Sequence, residues 1–131
     1  MRSLTYLGLS SNILEGGIPT EIGLLNSLTQ LDLWKNNFEG SIPTEIGLLT
    51  SLTFAYLSDN PNLAGRVPTE LANLSNLTSL KLHTTQLTGS VPYNLCSTLE
   101  AATIDCDDEI ECDCCRCTYG NNTFYCHTYC R

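Results

Sequence analysis

Residues 27–50 read SLTQLDLWKNNFEGSIPTEIGLLT, with apolar side chains at Leu28, Leu31, Leu33, Phe38, Ile42, Ile46 and Leu49. Shifted back by 24 residues, the same pattern falls on Leu4, Leu7, Leu9, Leu14, Ile18, Ile22 and Leu25. Shifted forward, it falls on Leu52, Ala55, Leu57, Leu63, Val67, Leu71 and Leu74. Self-similarity at a fixed period means that one small unit is stacked on copies of itself, which outranks any local reading of helix or strand. Repeat one is residues 3–26 and repeat two residues 27–50. Repeat three, residues 51–75, has one extra residue at Asp59-Asn60-Pro61-Asn62. Repeat four starts at Asn76 and carries Leu77, Leu80, Leu82, Leu87 and Val91. A shortened fifth places Leu99, Ala102 and Ile104 in the same spacing. Four repeats lie just above the minimum of about three that stacking requires.

Each repeat opens with Leu-x-x-Leu-x-Leu. Leu31 and Leu33 alternate with period two, so both point inward from a short strand. Successive strands then pair in parallel about 4.8 Å apart. Asn12, Asn36 and Asn60 follow the strands, where a side-chain amide can satisfy backbone groups left unpaired at a strand end. Repeat four has Thr85 there, a weaker partner, which predicts looser packing. Gly-x-Ile/Val-Pro comes next, at residues 16–19, 40–43, 65–68 and 89–92. Proline suits the first turn of a helix. Glu21, Glu45 and Glu70 then lie near that turn's positive end.

The L-x-x-L-x-L-x-x-N-x-L pattern is that of the leucine-rich repeat. The G-x-I-P continuation and the 24-residue period resemble its plant-type subclass, as in receptor-like kinase ectodomains and polygalacturonase-inhibiting proteins. The resemblance covers Leu4 to about Leu95. It implies an α/β solenoid: right-handed, with a concave parallel β-sheet, a second short strand near G-x-I-P, and convex turns or 3₁₀ helices. It also implies recognition of another molecule, as in receptors or inhibitors of secreted enzymes. The tail is similar to the Cys-rich ends of predicted leucine-rich repeat proteins of unicellular algae, which implies no activity. The expected division is residues 1–95 for the repeats and 96–131 for a degenerate last strand plus a disulfide-rich cap.

Acidic residues outnumber basic ones 14 to 6, a net charge of −8. Nucleic-acid binding needs a basic stripe, and an anionic membrane surface is disfavoured for the same reason. No stretch is apolar for long enough to span a bilayer. Met1-Arg2-Ser3 leads straight into the first repeat without a leader, whereas dense cysteines imply an oxidising compartment. The two together predict a mature form, a fragment or a truncated gene, on the secreted or extracellular side.

Residues between and beside the inward leucines form columns across the sheet. These are Tyr6, Gln30, Phe54, Ser79; Gly8, Asp32, Tyr56, Lys81; Ser10, Trp34, Ser58, His83; and Ser11, Lys35, Asp59, Thr84. The only tryptophan and several other aromatics fall on this face, and such residues are enriched in binding hot spots. Phe54 and Tyr56 could instead merely cover neighbouring strands. A protein or peptide partner is expected on Tyr6, Trp34, Phe54, Tyr56, Lys81 and His83. The alternative is a structural or ice-binding repeat protein, which needs short polar side chains in register; the mixed columns argue against it. The two histidines, His83 and His127, form no recognisable nucleophile pair, and no Gly-rich phosphate loop, HExxH or GxSxG occurs. Neither catalysis nor a cofactor is expected.

The eight cysteines are Cys96, Cys106, Cys112, Cys114, Cys115, Cys117, Cys126 and Cys130. Four disulfides capping the last repeat are favoured. Zinc would need a different spacing, and no isolated CxxC marks a redox pair. Connectivity stays open, since eight cysteines allow 105 pairings. The acidic residues from Asp105 to Asp113 match no EF-hand and read as a solvated loop. Residues 119–124 read as a turn between two short strands, a small hairpin cap. Asn73, Asn76 and Asn121 head glycosylation motifs.

Overall fold

The structure, a computed structural model, describes residues 3–104 in full and the backbone of residues 110–111, 116–120 and 123–127. Cys106, Cys112, Cys114, Cys115, Cys130 and Asn121 lie outside the described residues, as do the side chains of Cys117 and Cys126. Most of the 105–113 acidic run lies outside them too.

Strands alternate between two sheets. In chain order they are β1 (Tyr6–Gly8), β2 (Glu15–Gly17), β3 (Gln30–Asp32), β4 (Asn37–Gly40), β5 (Phe54–Tyr56) and β6 (Asn62–Arg66). There follow β7 (Ser79–Lys81), β8 (Gln86–Ser90), β9 (Ala101–Thr103), β10 (Ile110–Glu111), β11 (Arg116–Gly120) and β12 (Thr123–His127). The concave sheet runs β1-β3-β5-β7-β9-β12-β11, and the second sheet β10-β8-β6-β4-β2. The pairings from β1 through β9 are parallel, in the register the repeats predict: Leu7 stands beside Leu31, Leu31 beside Ala55, and Ala55 beside Leu80. The chain is an open solenoid whose inward leucines form one continuous core from repeat two onward, whereas Leu9 and Leu14 of repeat one, expected inward, are 36% and 37% exposed.

Between the second sheet and the next repeat, each coil makes a 3₁₀ turn. These are Thr20–Leu24, Thr44–Leu48, Thr69–Asn73 and Tyr93–Ser97, each preceded by an extended proline. The turns stack closely. A Cβ added to Gly47 would lie 2.6 Å from the Glu70 carbonyl oxygen and 2.7 Å from its Cβ. The TEIG pattern in repeats one and two carries this signal, although hydrophobic periodicity alone passes over it. We expect Gly47→Ala to destabilise the protein by about 1–3 kcal/mol through overpacking. Urea denaturation checks this, and an unchanged midpoint would show that the turns can separate freely.

The asparagines act as rungs between coils. Asn60 is fully buried; its Nδ2 donates to the carbonyls of Leu33, Leu57 and Ser58, and its Oδ1 accepts from the Phe38 N–H at 3.2 Å. Asn36 does the same one repeat earlier, toward Leu9, Leu33 and Leu14. Asn12 is exposed and its amide bonds only within its own turn, at Leu9 and Ser10. In repeat four the Thr85 hydroxyl donates to the Leu82 carbonyl at 2.7 Å, and Leu80, Leu82 and Leu87 remain fully buried. The looser packing expected there is therefore not seen in the burial of these leucines.

The residue before each of these side chains, Ser11, Lys35, Asp59 or Thr84, has a φ of 55 to 58°. For a β-branched residue this left-handed conformation is strained by roughly 1–2 kcal/mol, whereas asparagine tolerates it. Replacing exposed Thr84 by asparagine is expected to stabilise the fold by about 1 kcal/mol in urea denaturation.

The C-terminal segment differs in two ways from the sequence expectation. Ile110–Glu111, read as part of a solvated loop, forms β10 and pairs in parallel with β8. The predicted hairpin exists as β11 and β12, but it does more than sit over the last repeat. β12 pairs antiparallel with β9 and lengthens the concave sheet by two strands. The backbone groups of β9 that would face the next repeat thus find partners in the reversed chain.

Candidate functional site

Trp34, Tyr56, Lys81 and His83, four of the six residues singled out for binding, line one pocket on the concave face with Asp32, Ser58 and Asp59. Its volume is about 330 Å³. The strands set this meeting. Asp32, Tyr56 and Lys81 are register neighbours on β3, β5 and β7. Trp34, Ser58 and His83 follow two residues later, on the same face by strand alternation.

Tyr6 and Phe54 stand outside the pocket. Tyr6, 53% exposed, folds its ring over Gly8, where a side chain would collide with the phenol. Phe54 packs against Tyr56 at a ring-centroid distance of 6.2 Å. The Lys81 ammonium lies 4.3 Å from the Tyr56 ring centroid, and Lys35 lies 5.9 Å from that of Trp34. Both are cation–π distances.

The columns were expected to face solvent. Tyr6 and Trp34 do so wholly or in part, but Asp32 is only 9% exposed and Ser58 only 2%. The Asp32 carboxylate pays for this burial: no hydrogen-bond partner reaches its Oδ1 among the described residues.

A second polar line begins at Thr103, on the shortened fifth repeat that sequence reasoning assigned only a structural role. His83 Nδ1 lies 2.6 Å from Thr103 Oγ1, and His83 Nε2 lies 3.8 Å from Asp59 Oδ2. The order hydroxyl, imidazole, carboxylate is that of a nucleophile triad, but 3.8 Å exceeds hydrogen-bond reach and Thr103 is buried. The hydrogen bond to Thr103 fixes the orientation of the His83 ring.

The family model described as Leucine Rich Repeat matches residues 3–25 and 27–49. The chain is a plant-type leucine-rich repeat protein. Among curated proteins none matches this repeat protein significantly in sequence. Solved structures do. The plant peptide hormone receptor RGFR1 in complex with RGF2 is 38% identical, with a TM-score of 0.75, over 79% of this chain and 17% of that one. The ectodomain of the receptor kinase SOBIR1 from Arabidopsis thaliana is 32% identical, with a TM-score of 0.75, over 83% of this chain and 59% of that one. A plant ice-binding protein is 32% identical, with a TM-score of 0.69, over 83% of this chain and 35% of that one. The repeat protein therefore spans less than two thirds of the length of each. Among its described residues no helix is long and apolar enough to cross a membrane.

Proposed function

We propose that the chain is a non-catalytic recognition module that binds a protein or peptide through its concave sheet. Trp34, Tyr56, Lys81 and His83 form the centre, with Tyr6 and Phe54 beside them. The observation that carries the reading is the pocket itself: an indole, a phenol, charged groups and a half-buried imidazole gathered on one face whose interior side is already filled by leucines. The likeness to a peptide hormone receptor in complex supports it. Neither nucleic acid nor a membrane is a partner in this reading.

The module works on the extracellular side. Residues 1–95 supply the binding solenoid and residues 96–131 its disulfide-rich end. Buried Cys96, joined in a disulfide, supports that arrangement. Thiol titration of the folded protein is then expected to find none of the eight cysteines free. Asn73, exposed at the end of a convex 3₁₀ turn, is the favoured glycan site of the three, with Asn121 next. The Asn76 amide instead donates to the Thr50 carbonyl at 2.9 Å.

Peptides selected from a displayed library against the wild-type protein test the reading. We expect Trp34→Ala to weaken them by about tenfold or more, as hot-spot truncations do. Leu48→Ala, an exposed convex change, should leave them unaffected. Equal loss in both variants, or none in Trp34→Ala, rejects the concave face as the binding surface.

The ice-binding alternative gains one observation. Thr5, Thr29, Thr53 and Thr78 form a column of short polar residues along the sheet edge. The hydroxyls of Thr29 and Thr78 donate to the carbonyls of Thr5 and Thr53, however, which ties them to the backbone. No thermal hysteresis is expected, and a clear hysteresis gap would reverse the order of the two readings.

A further inference from the structure

We propose that the concave pocket receives an arginine side chain presented by the partner, with Asp32 as its acceptor and Trp34 as its stacking platform. The inference deepens the concave-face reading and rests on it. Its starting point is Asp32. A carboxylate that is 9% exposed, with an oxygen that no donor reaches among the described residues, is held at a free-energy disadvantage. Asp32 lines the pocket, so a donor that enters there and displaces the side chains covering Oδ1 removes that disadvantage, which makes Asp32 the acceptor for a cationic hydrogen-bond donor.

The walls select which donor. A guanidinium is planar, stacks on aromatic faces and presents several N–H groups along its edge, whereas an ammonium is a strongly hydrated point charge. Trp34 and Tyr56 supply the aromatic faces. Lys81 already occupies the vicinity of the Tyr56 ring at 4.3 Å, while Lys35 stands farther from Trp34, at 5.9 Å. The indole is accordingly the more open platform for an incoming cation. The lining carries two carboxylates, Asp32 and Asp59, against one lysine, and among the described residues the one ion-pair approach to Asp59 is that of His83 at 3.8 Å. The net charge of −8 favours encounter with a basic partner. A volume of about 330 Å³ lies at the small end of ligand pockets and suits one side chain rather than a cofactor.

The only tryptophan of the chain gives a local readout, because its indole N–H yields a single resonance. We would titrate the ¹⁵N-labelled full chain with the amides of N-acetyl-arginine, N-acetyl-lysine and N-acetyl-citrulline. The arginine amide should shift the indole signal and the Asp32 and Tyr56 amides saturably. The lysine analogue should bind more weakly, and the neutral citrulline analogue about tenfold more weakly or not at all, since a charge-assisted bond is lost. Asp32→Asn, which keeps the shape, should weaken arginine by about tenfold as well. If that variant misfolds, the arginine–citrulline difference on the wild-type protein decides. Equal titration by arginine and citrulline, shifts confined to residues outside the pocket, or an Asp32→Asn variant that binds arginine unchanged would overturn the proposal. Selected peptides that need Trp34, alongside an indole signal blind to arginine, would overturn the arginine pocket while leaving concave-face recognition standing.

Discussion

Asn60→Ala is expected to lower the unfolding free energy by about 3–5 kcal/mol, more than any other single polar change among the described residues. The side chain is completely buried and serves two coils at once. It accepts from the Phe38 N–H and donates to Leu33 in repeat two, and it donates to Leu57 and Ser58 in its own repeat. Alanine would leave several backbone groups buried without a partner, each worth roughly 1–3 kcal/mol of desolvation, with water entering the space to offset part of the sum. The molecule contains its own control. Asn12 occupies the same place in repeat one but is exposed and bonds only within its turn, so Asn12→Ala should lose less than about 1 kcal/mol. Urea denaturation of the two variants makes the comparison. Equal losses would mean that the amide matters for the local turn and not for joining repeats.

The second large effect is Leu33→Ala, expected at about 2–5 kcal/mol from the lost contacts and the cavity left behind. Leu33 is 3% exposed within the continuous core. Its sequence neighbour Trp34 is partly exposed at the pocket, and Trp34→Ala should change stability by no more than about 1 kcal/mol while weakening partner binding. Adjacent residues thus separate two properties, one read by denaturation and one by affinity. Similar losses of melting temperature in both variants would contradict the inward and outward assignments.

The repeat made much of this legible in advance. From repeat two onward, positions identical across copies, such as the inward leucines, Asn36 and Asn60, and the glycine and proline before each turn, behave in the structure as their period requires; in repeat one Leu9 and Leu14 stay exposed, because no preceding coil among the described residues covers them. What escaped prediction depends on neighbours in other coils. The alternation that turns Asp32 toward the concave face cannot say how far the surrounding coils will bury it. Ser58 and Thr103, at 2% and 9% exposed, are buried as well. Gly47 needs the position of the Glu70 backbone before its lack of a side chain acquires meaning. The sheet-extending role of the hairpin likewise rests on pairing between distant segments, β12 with β9, which local turn signals do not encode.

The parallel register of β1 through β9 turns the concave face into a ruler. Each column is graduated at the strand spacing of about 4.8 Å. An extended chain laid across the strands advances about 3.3 Å per residue and alternates sides, so it drifts out of step with the graduations. A polyproline II chain returns the same side every three residues, about 9.3 Å, which nearly equals two graduations. Side chains three apart on such a chain would come into phase with every second repeat. The interval from the Trp34 repeat to the His83 repeat is two graduations on that scale.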